Sequence, residues 1–221
     1  MRFIARNRGT LLAIAAVWAA VGAAVTSTRL AATALAPAAE APADIWLKGL
    51  DGKHRQFFDF PSTNGGVPLV HMLNYYDTYN KAYGVPDRDI DAVGTFYGST
   101  TFHAMNDAMW EKYRIGEFLK ENAPSGQPAT ANPWRTAPVI LGMTLAPASI
   151  ESLQKRGATF ILCNNALTIF SGMLAQARGL DAKVVYEDLK ANVLPGVVVV
   201  PAMVIAIEKA QKAGMAYNRQ T

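Results

Sequence analysis

The run Gly196-Val197-Val198-Val199-Val200-Pro201 narrows the choice of fold more than any other stretch of this 221-residue chain. Four consecutive β-branched residues between two breakers predict a short strand buried on both faces, the kind found in parallel sheets covered by helices. The segments before it repeat that logic. Ile90 to Tyr97 (IDAVGTFY) and Ala158 to Leu162 (ATFIL) are further apolar strands, and residues 56–60 (QFFDF) are a first core strand. Asp51-Gly52 is a turn dipeptide, so residues 45–50 and 54–60 are expected to form a small N-terminal hairpin.

Helical periodicity lies between the strands. Pro68 opens LVHMLNYYDTYNKAYG, with Leu69, Leu73, Tyr76 and Tyr83 at helical spacing and Gly84 as the stop. Residues 104–121 read as a second helix. A short one over 150–156 is capped by Ser149 and ended by Gly157. Residues 166–178, 181–192 and 201–212 are three more, and residues 215–218 are a last strand. The segment 123–138 contains four prolines and is a long irregular loop, suited to function or to subunit contact. Regular alternation of strand and helix, with no internal repeat, predicts an α/β fold. The expected architecture is a Rossmann-like three-layer sandwich around a mostly parallel sheet of about five strands, preceded by the small hairpin.

The first 38 residues are of another kind. Arg2, Arg6 and Arg8 precede sixteen uncharged residues, 10–25, and Ala36-Pro37-Ala38 offers small residues for a signal peptidase. Sixteen residues is short for a membrane span, although residues 31–39 extend the run past Arg29. The segment is therefore read as a signal peptide or, if it is retained, an N-terminal membrane anchor. The expected location is periplasmic or secreted, or inner-membrane-anchored in the second case.

This leader also carries the basic charge. It holds four arginines and no acid, so the formal charge of +4 falls to zero without it. A neutral remainder with no Lys/Arg stripe gives no reason to expect nucleic acid as a partner. The membrane is expected to be met only through the N-terminal segment.

Chemistry in an open parallel sheet gathers beyond the carboxyl ends of the strands. Cys163 is the only cysteine, one residue past an apolar strand and just before a helix, so no internal disulfide can form. Unpaired N–H groups at a helix start favour a thiolate over a thiol, and Asn164 and Asn165 can cap that helix and donate to a bound anion. The plainer alternative is a buried packing residue, since free cysteine is among the most buried residue types. The second candidate place is the loop from Tyr97 to His103. His103 is a candidate acid or base there, and Tyr97 and Thr101 are candidate ligand-binding residues; a loop-bonded histidine is the plainer reading.

Other patterns are set aside. Asp87, Asp89 and Asp91 open like a calcium loop, but Ala92 and Gly98 stand where Gly and Glu are required. The histidines His54, His71 and His103 do not approach zinc-ligand spacing, and no glycine-rich phosphate or dinucleotide motif occurs, so no metal or cofactor is expected. Tyr75, Tyr76, Tyr79 and Tyr83 read as core and subunit-contact residues.

The segments SLQKRGATFILCNNALTIFSGMLAQARGL and VLPGVVVVPAMVIAIEKAQKAGMAYN resemble the DsrE/DsrF-like family, particularly its secreted, poorly characterised members. NYYDTYNKAYG and VGTFYGSTTFHAMNDAMW are similar to its first helix and second strand, so the likeness covers residues 57–218. The resemblance implies a DsrE-like α/β domain over 67–221, continuous with 54–66 and preceded by a linker from residue 39. It also implies a homo-oligomer, trimeric or hexameric, and a persulfide-carrying cysteine at Cys163 that exchanges sulfur with a donor or acceptor protein, in the manner of a sulfur carrier or sulfurtransferase. One departure matters: the relay members are cytoplasmic, whereas this chain has an export-type leader, and outside the cytoplasm a persulfide needs a different donor and protection from oxidation.

Overall fold

A computed structural model describes residues 42–220; the leader or anchor read over residues 1–38 lies outside them. Five strands form one sheet: β1 (His54–Asp59), β2 (Ile90–Phe96), β5 (Thr159–Cys163), β6 (Val197–Val200) and β7 (Ala216–Arg219). Their order is β6-β5-β2-β1-β7, and every neighbouring pair is parallel. Parallel neighbours need crossovers, and helices supply them. These are α1 (Val67–Tyr83), α2 (Asp107–Lys112), α3 (Ile115–Leu119), α4 (Ile150–Lys155), α5 (Asn164–Arg178), α6 (Ala182–Ala191) and α7 (Met203–Lys212). The remaining two strands, β3 (Val139–Ile140) and β4 (Met143–Thr144), form a separate antiparallel hairpin. The expected α/β sandwich is present.

Side chains alternate across the sheet and divide the core in two. Phe58, Phe96, Phe160 and Leu162 point to one side, where α1 through α6 contribute Leu69, Met72, Tyr76, Leu153, Leu167 and Leu189. Phe57, Val93, Ile161 and Cys163 point to the other, under α7 and a 3-10 turn over Pro42–Leu47 that brings in Trp46. The second layer is thin.

Gly94 sets the close approach of α1. A Cβ there would lie 2.7 Å from Phe160 Cε1 and 3.0 Å from Met72 Sδ. The bare backbone lets Phe160 reach across β2 to stack on Phe96, centroids 5.4 Å apart.

Three local expectations are corrected. Residues 45–50 are not a hairpin arm: residues 42–47 form the 3-10 turn, and the Gly52 N–H donates to Asp91 Oδ2 while β1 pairs in parallel with β2 and β7. Apolar Trp46 is drawn onto the sheet face instead of along its edge. The valine run is an edge strand with three of its four residues only half-buried, because β6 has β5 as its single neighbour. Residues 104–121 are two short helices after a 3-10 segment, Gly98–Ala104, and Arg114 breaks them with a left-handed φ of 51°.

Arg156 fastens the connections around α1. Its guanidinium reaches Asp77 at 2.6 Å, Asp87 at 2.9 Å and Asn80 at 2.7 Å, and lies 4.7 Å over the Tyr76 ring. Hydrogen bonds from Lys81 and Arg156 hold the Asp77 carboxyl below its ordinary range, and Arg156 does the same for Asp87. A carboxyl depressed by folding adds stability above its unfolded value, near ~4, which is lost as pH falls through the folded value.

Arg156→Ala is expected to cost about 2 kcal/mol at neutral pH, and urea melts should show the gap from wild type narrowing below about pH 4. Gly94→Ala is expected to cost roughly 1 to 3 kcal/mol by overpacking Phe160 and Met72, read as a lower midpoint in the same melts.

Candidate functional site

Cys163 is the last residue of β5 and the N-cap of α5. Parallel pairing places it beside Val200, the last residue of β6. Two helices therefore begin at the same point. The backbone N–H of Ala166, in the first turn of α5, donates to Cys163 Sγ at 3.4 Å, and the N–H of Met203, the first residue of α7, donates at 3.3 Å. Both N–H groups belong to helix starts that have no partner within their own helix, so the sulfur meets two of these orphan donors and two positive dipole ends. The residue is 5% exposed, packed among Phe57, Ile161, Val200 and Met203. Two N–H donors and two positive helix ends thus converge on a sulfur that is almost wholly buried.

The neighbouring strand ends continue the row. Register sets Phe96 beside Leu162, so Tyr97 follows at the level of Cys163 and packs in the same apolar cluster. Its hydroxyl donates to Asp59 Oδ2 at 3.1 Å, at the carboxyl end of β1. Tyr217 on β7 donates to the same oxygen at 2.6 Å, and Thr95 Oγ1 donates to Oδ1 at 3.4 Å. Asp59 is 1% exposed, and these three hydroxyls satisfy it in place of a cation. Burial first, and then the hydrogen bond to Asp59, raise the titration of both phenols, that of Tyr217 to about 12. Sulfur, phenol, carboxyl and phenol thus lie in sequence along one edge.

The other sequence candidates are distributed differently. Asn164 Oδ1 accepts from the Tyr186 hydroxyl at 2.7 Å, which joins α5 to α6, and Asn165 is exposed with its N–H on Pro201 O at 3.3 Å. Both flank the sulfur. Thr101 is buried and donates to Gly98 O at 2.8 Å, closing the 3-10 turn after β2.

His103 is fully buried in the opposite layer, 4.2 Å from the Trp134 ring and 5.3 Å from Trp110. Its Nε2 faces Glu121 Oε2 at 3.0 Å, and its backbone carbonyl accepts from Asn132 Nδ2 at 2.7 Å. The structure thus uses it to seat the proline-rich loop, and Cys163 and His103 are not brought together. Asp59 and Tyr217 escaped the sequence reading. The lone Asp inside the aromatic strand HRQFFD was their one visible signal, since an acid among core positions needs partners.

Among the described residues, no group of three or more His, Cys, Asp or Glu side chains is placed to hold a metal ion. A raised phenol adds stability below its unfolded value, near ~10, that is lost as pH climbs through the folded value. Unfolding free energy is expected to fall between about pH 10 and pH 12. In Asp59→Asn, alkaline difference absorbance should show Tyr217 ionising at lower pH, because the variant removes the negative charge facing it.

No protein-family model matches the sequence, and no curated protein matches it. Among solved structures the chain is similar to MTH1491, a protein of unknown function from Methanobacterium thermoautotrophicum. The two are 18% identical, the match covers 76% of this chain and 99% of that one, and the TM-score is 0.36.

Proposed function

We propose that this chain is an exported DsrE/DsrF-like protein that traffics sulfur, or binds sulfur compounds, through Cys163. The observation that carries the reading is the seat of the sulfur between the N–H groups of Ala166 and Met203. The chemistry asked of it is one displacement. The Cys163 thiolate attacks a sulfur atom of a polysulfide, the adjacent S–S bond breaks, and the shortened polysulfide leaves with the electron pair; the cysteine keeps one extra sulfur as a persulfide. Negative charge passes from Sγ to the outer sulfur, and the two helix starts stabilise it at both stages. A persulfide handed between proteins fits an oligomeric carrier, trimeric or hexameric, with a donor or acceptor protein docking at the strand ends. His103 takes no part at the sulfur.

A second reading also has an observation behind it. Cys163 is packed on its apolar sides by Phe57, Ile161 and Val200, as a purely structural cysteine would be. The chain would then be a non-catalytic binding or assembly module, presenting Ile169 and Met173 of α5 and Val204 and Ile205 of α7, all exposed, to a partner.

Intact-mass spectrometry after exposure to polysulfide separates the two. The sulfur-carrier reading expects a gain of whole sulfur atoms on the native protein, removed by a thiol reductant and absent in Cys163→Ser. That variant should fold with stability within about 1 kcal/mol of wild type. A native protein that takes up no sulfur refutes the carrier reading.

A further inference from the structure

β7 is the edge strand beside β1, and its α1 side lies away from Cys163. Between β7 and α1 a cleft of about 850 Å³ opens, within the size range of small-molecule sites. It runs along the face of β1 and β7, from His54 at the amino end of β1 to Gln220 just past the carboxyl end of β7.

The cleft has two chemically distinct kinds of wall. Tyr75, Tyr79 and Tyr83 recur on successive turns of α1, with centroids 5.0 and 5.6 Å apart. Phe58 meets Tyr75 edge-on at 5.5 Å, and His54 lies 4.2 Å from Tyr79. Tyr83 is 71% exposed, so its ring faces are open.

Opposite and around them stand side-chain amides. Gln220 accepts from His71 Nδ1 and donates to Asn218 Oδ1 at 2.7 Å, which fixes their orientation and leaves the Asn218 NH₂ free to donate. Among the described residues the side-chain amides of Gln56, Asn64 and Asn74 make no hydrogen bond.

No Lys, Asp or Glu lines this cleft; its titratable groups besides the tyrosines are the imidazoles of His54 and His71 and, at the rim, Arg219. Arg219 touches the rim, but strand alternation turns its side chain to the opposite face, where its charge is felt by Tyr97 and Tyr217. A cationic ligand would find no carboxylate there, and an anionic one would find no permanently charged side chain aimed into the cleft, only the two imidazoles. A wholly aromatic one would bury several amides without partners, at a cost of ~1 to 3 kcal/mol for each such group. An added peptide strand would use the backbone edge of β7, only four residues long, and leave the amides idle.

We propose that this cleft is a binding site for a neutral saccharide. The unbonded amides of Gln56, Asn64 and Asn74 each offer a donor and an acceptor side by side, matching a pair of adjacent sugar hydroxyls, and Asn218 adds a donor. The tyrosine rings cover the C–H faces of the sugar, with Tyr83 taking the outermost ring.

Saturation-transfer NMR on the full chain with cellobiose, maltose, diacetylchitobiose and sucrose tests this. Transfer to the ring C–H protons of at least one disaccharide is expected, with affinity falling about tenfold in Tyr83→Ala and in Asn74→Ala. Both positions are exposed, so folding should be unaffected. Cys163→Ser should bind as wild type, which separates this site from the sulfur reading. Three results would overturn the proposal: no transfer to any of the four sugars, undiminished binding in both variants, or a Tyr83→Ala protein that sediments as a smaller species than wild type. The last would show a second copy of the chain occupying the cleft.

Discussion

Parallel register at the carboxyl edge governs the rest of this molecule. Pairing sets Phe96 beside Leu162 and Cys163 beside Val200, so three adjacent strands stop at one level. Parallel strands that stop together release their helices together, and the first turns of α5 and α7 converge on whatever side chain ends the central strand of the three. Here that side chain is a cysteine. A shift of one residue in β5 would turn Cys163 to the α1 side and leave the Ala166 and Met203 N–H groups aimed at nothing.

That register is held by β2, whose seven residues are all buried and which carries β1 on one side and β5 on the other. Gly94 at its centre allows Phe160 and Met72 to close over it. The burial that stabilises the fold and the alignment that builds the sulfur site are therefore one structural fact.

Most of the large-scale organisation was legible in the sequence, because alternating periods of two and 3.6 follow directly from which faces must be buried. The helix stops at Gly84 and Gly179 and the cap at Ser149 were legible as local chemistry, and each occupies that role. What failed depended on neighbours distant in sequence. Four valines look the same whether a strand has one neighbour or two, so β6 was expected to be buried on both faces. The continuity of residues 104–121 concealed the break at Arg114, where the loop lies against Gly116 so closely that a Cβ there would sit 2.3 Å from Ala129 O. Asp59, Tyr97 and Tyr217 come from three separate segments, and only the fold assembles them.

Two faces of one sheet thus carry two candidate sites: Cys163 under α7, and the aromatic and amide cleft beside α1. Whether Cys163 is reached in the folded protein decides the first of these most directly. The measurement is the rate of Cys163 alkylation by a small maleimide across low denaturant concentrations. A site open through local access predicts labelling faster than global unfolding and independent of denaturant below the unfolding transition. Labelling that rises with denaturant in step with global unfolding would make Cys163 a packing residue and contradict a sulfur-carrying role.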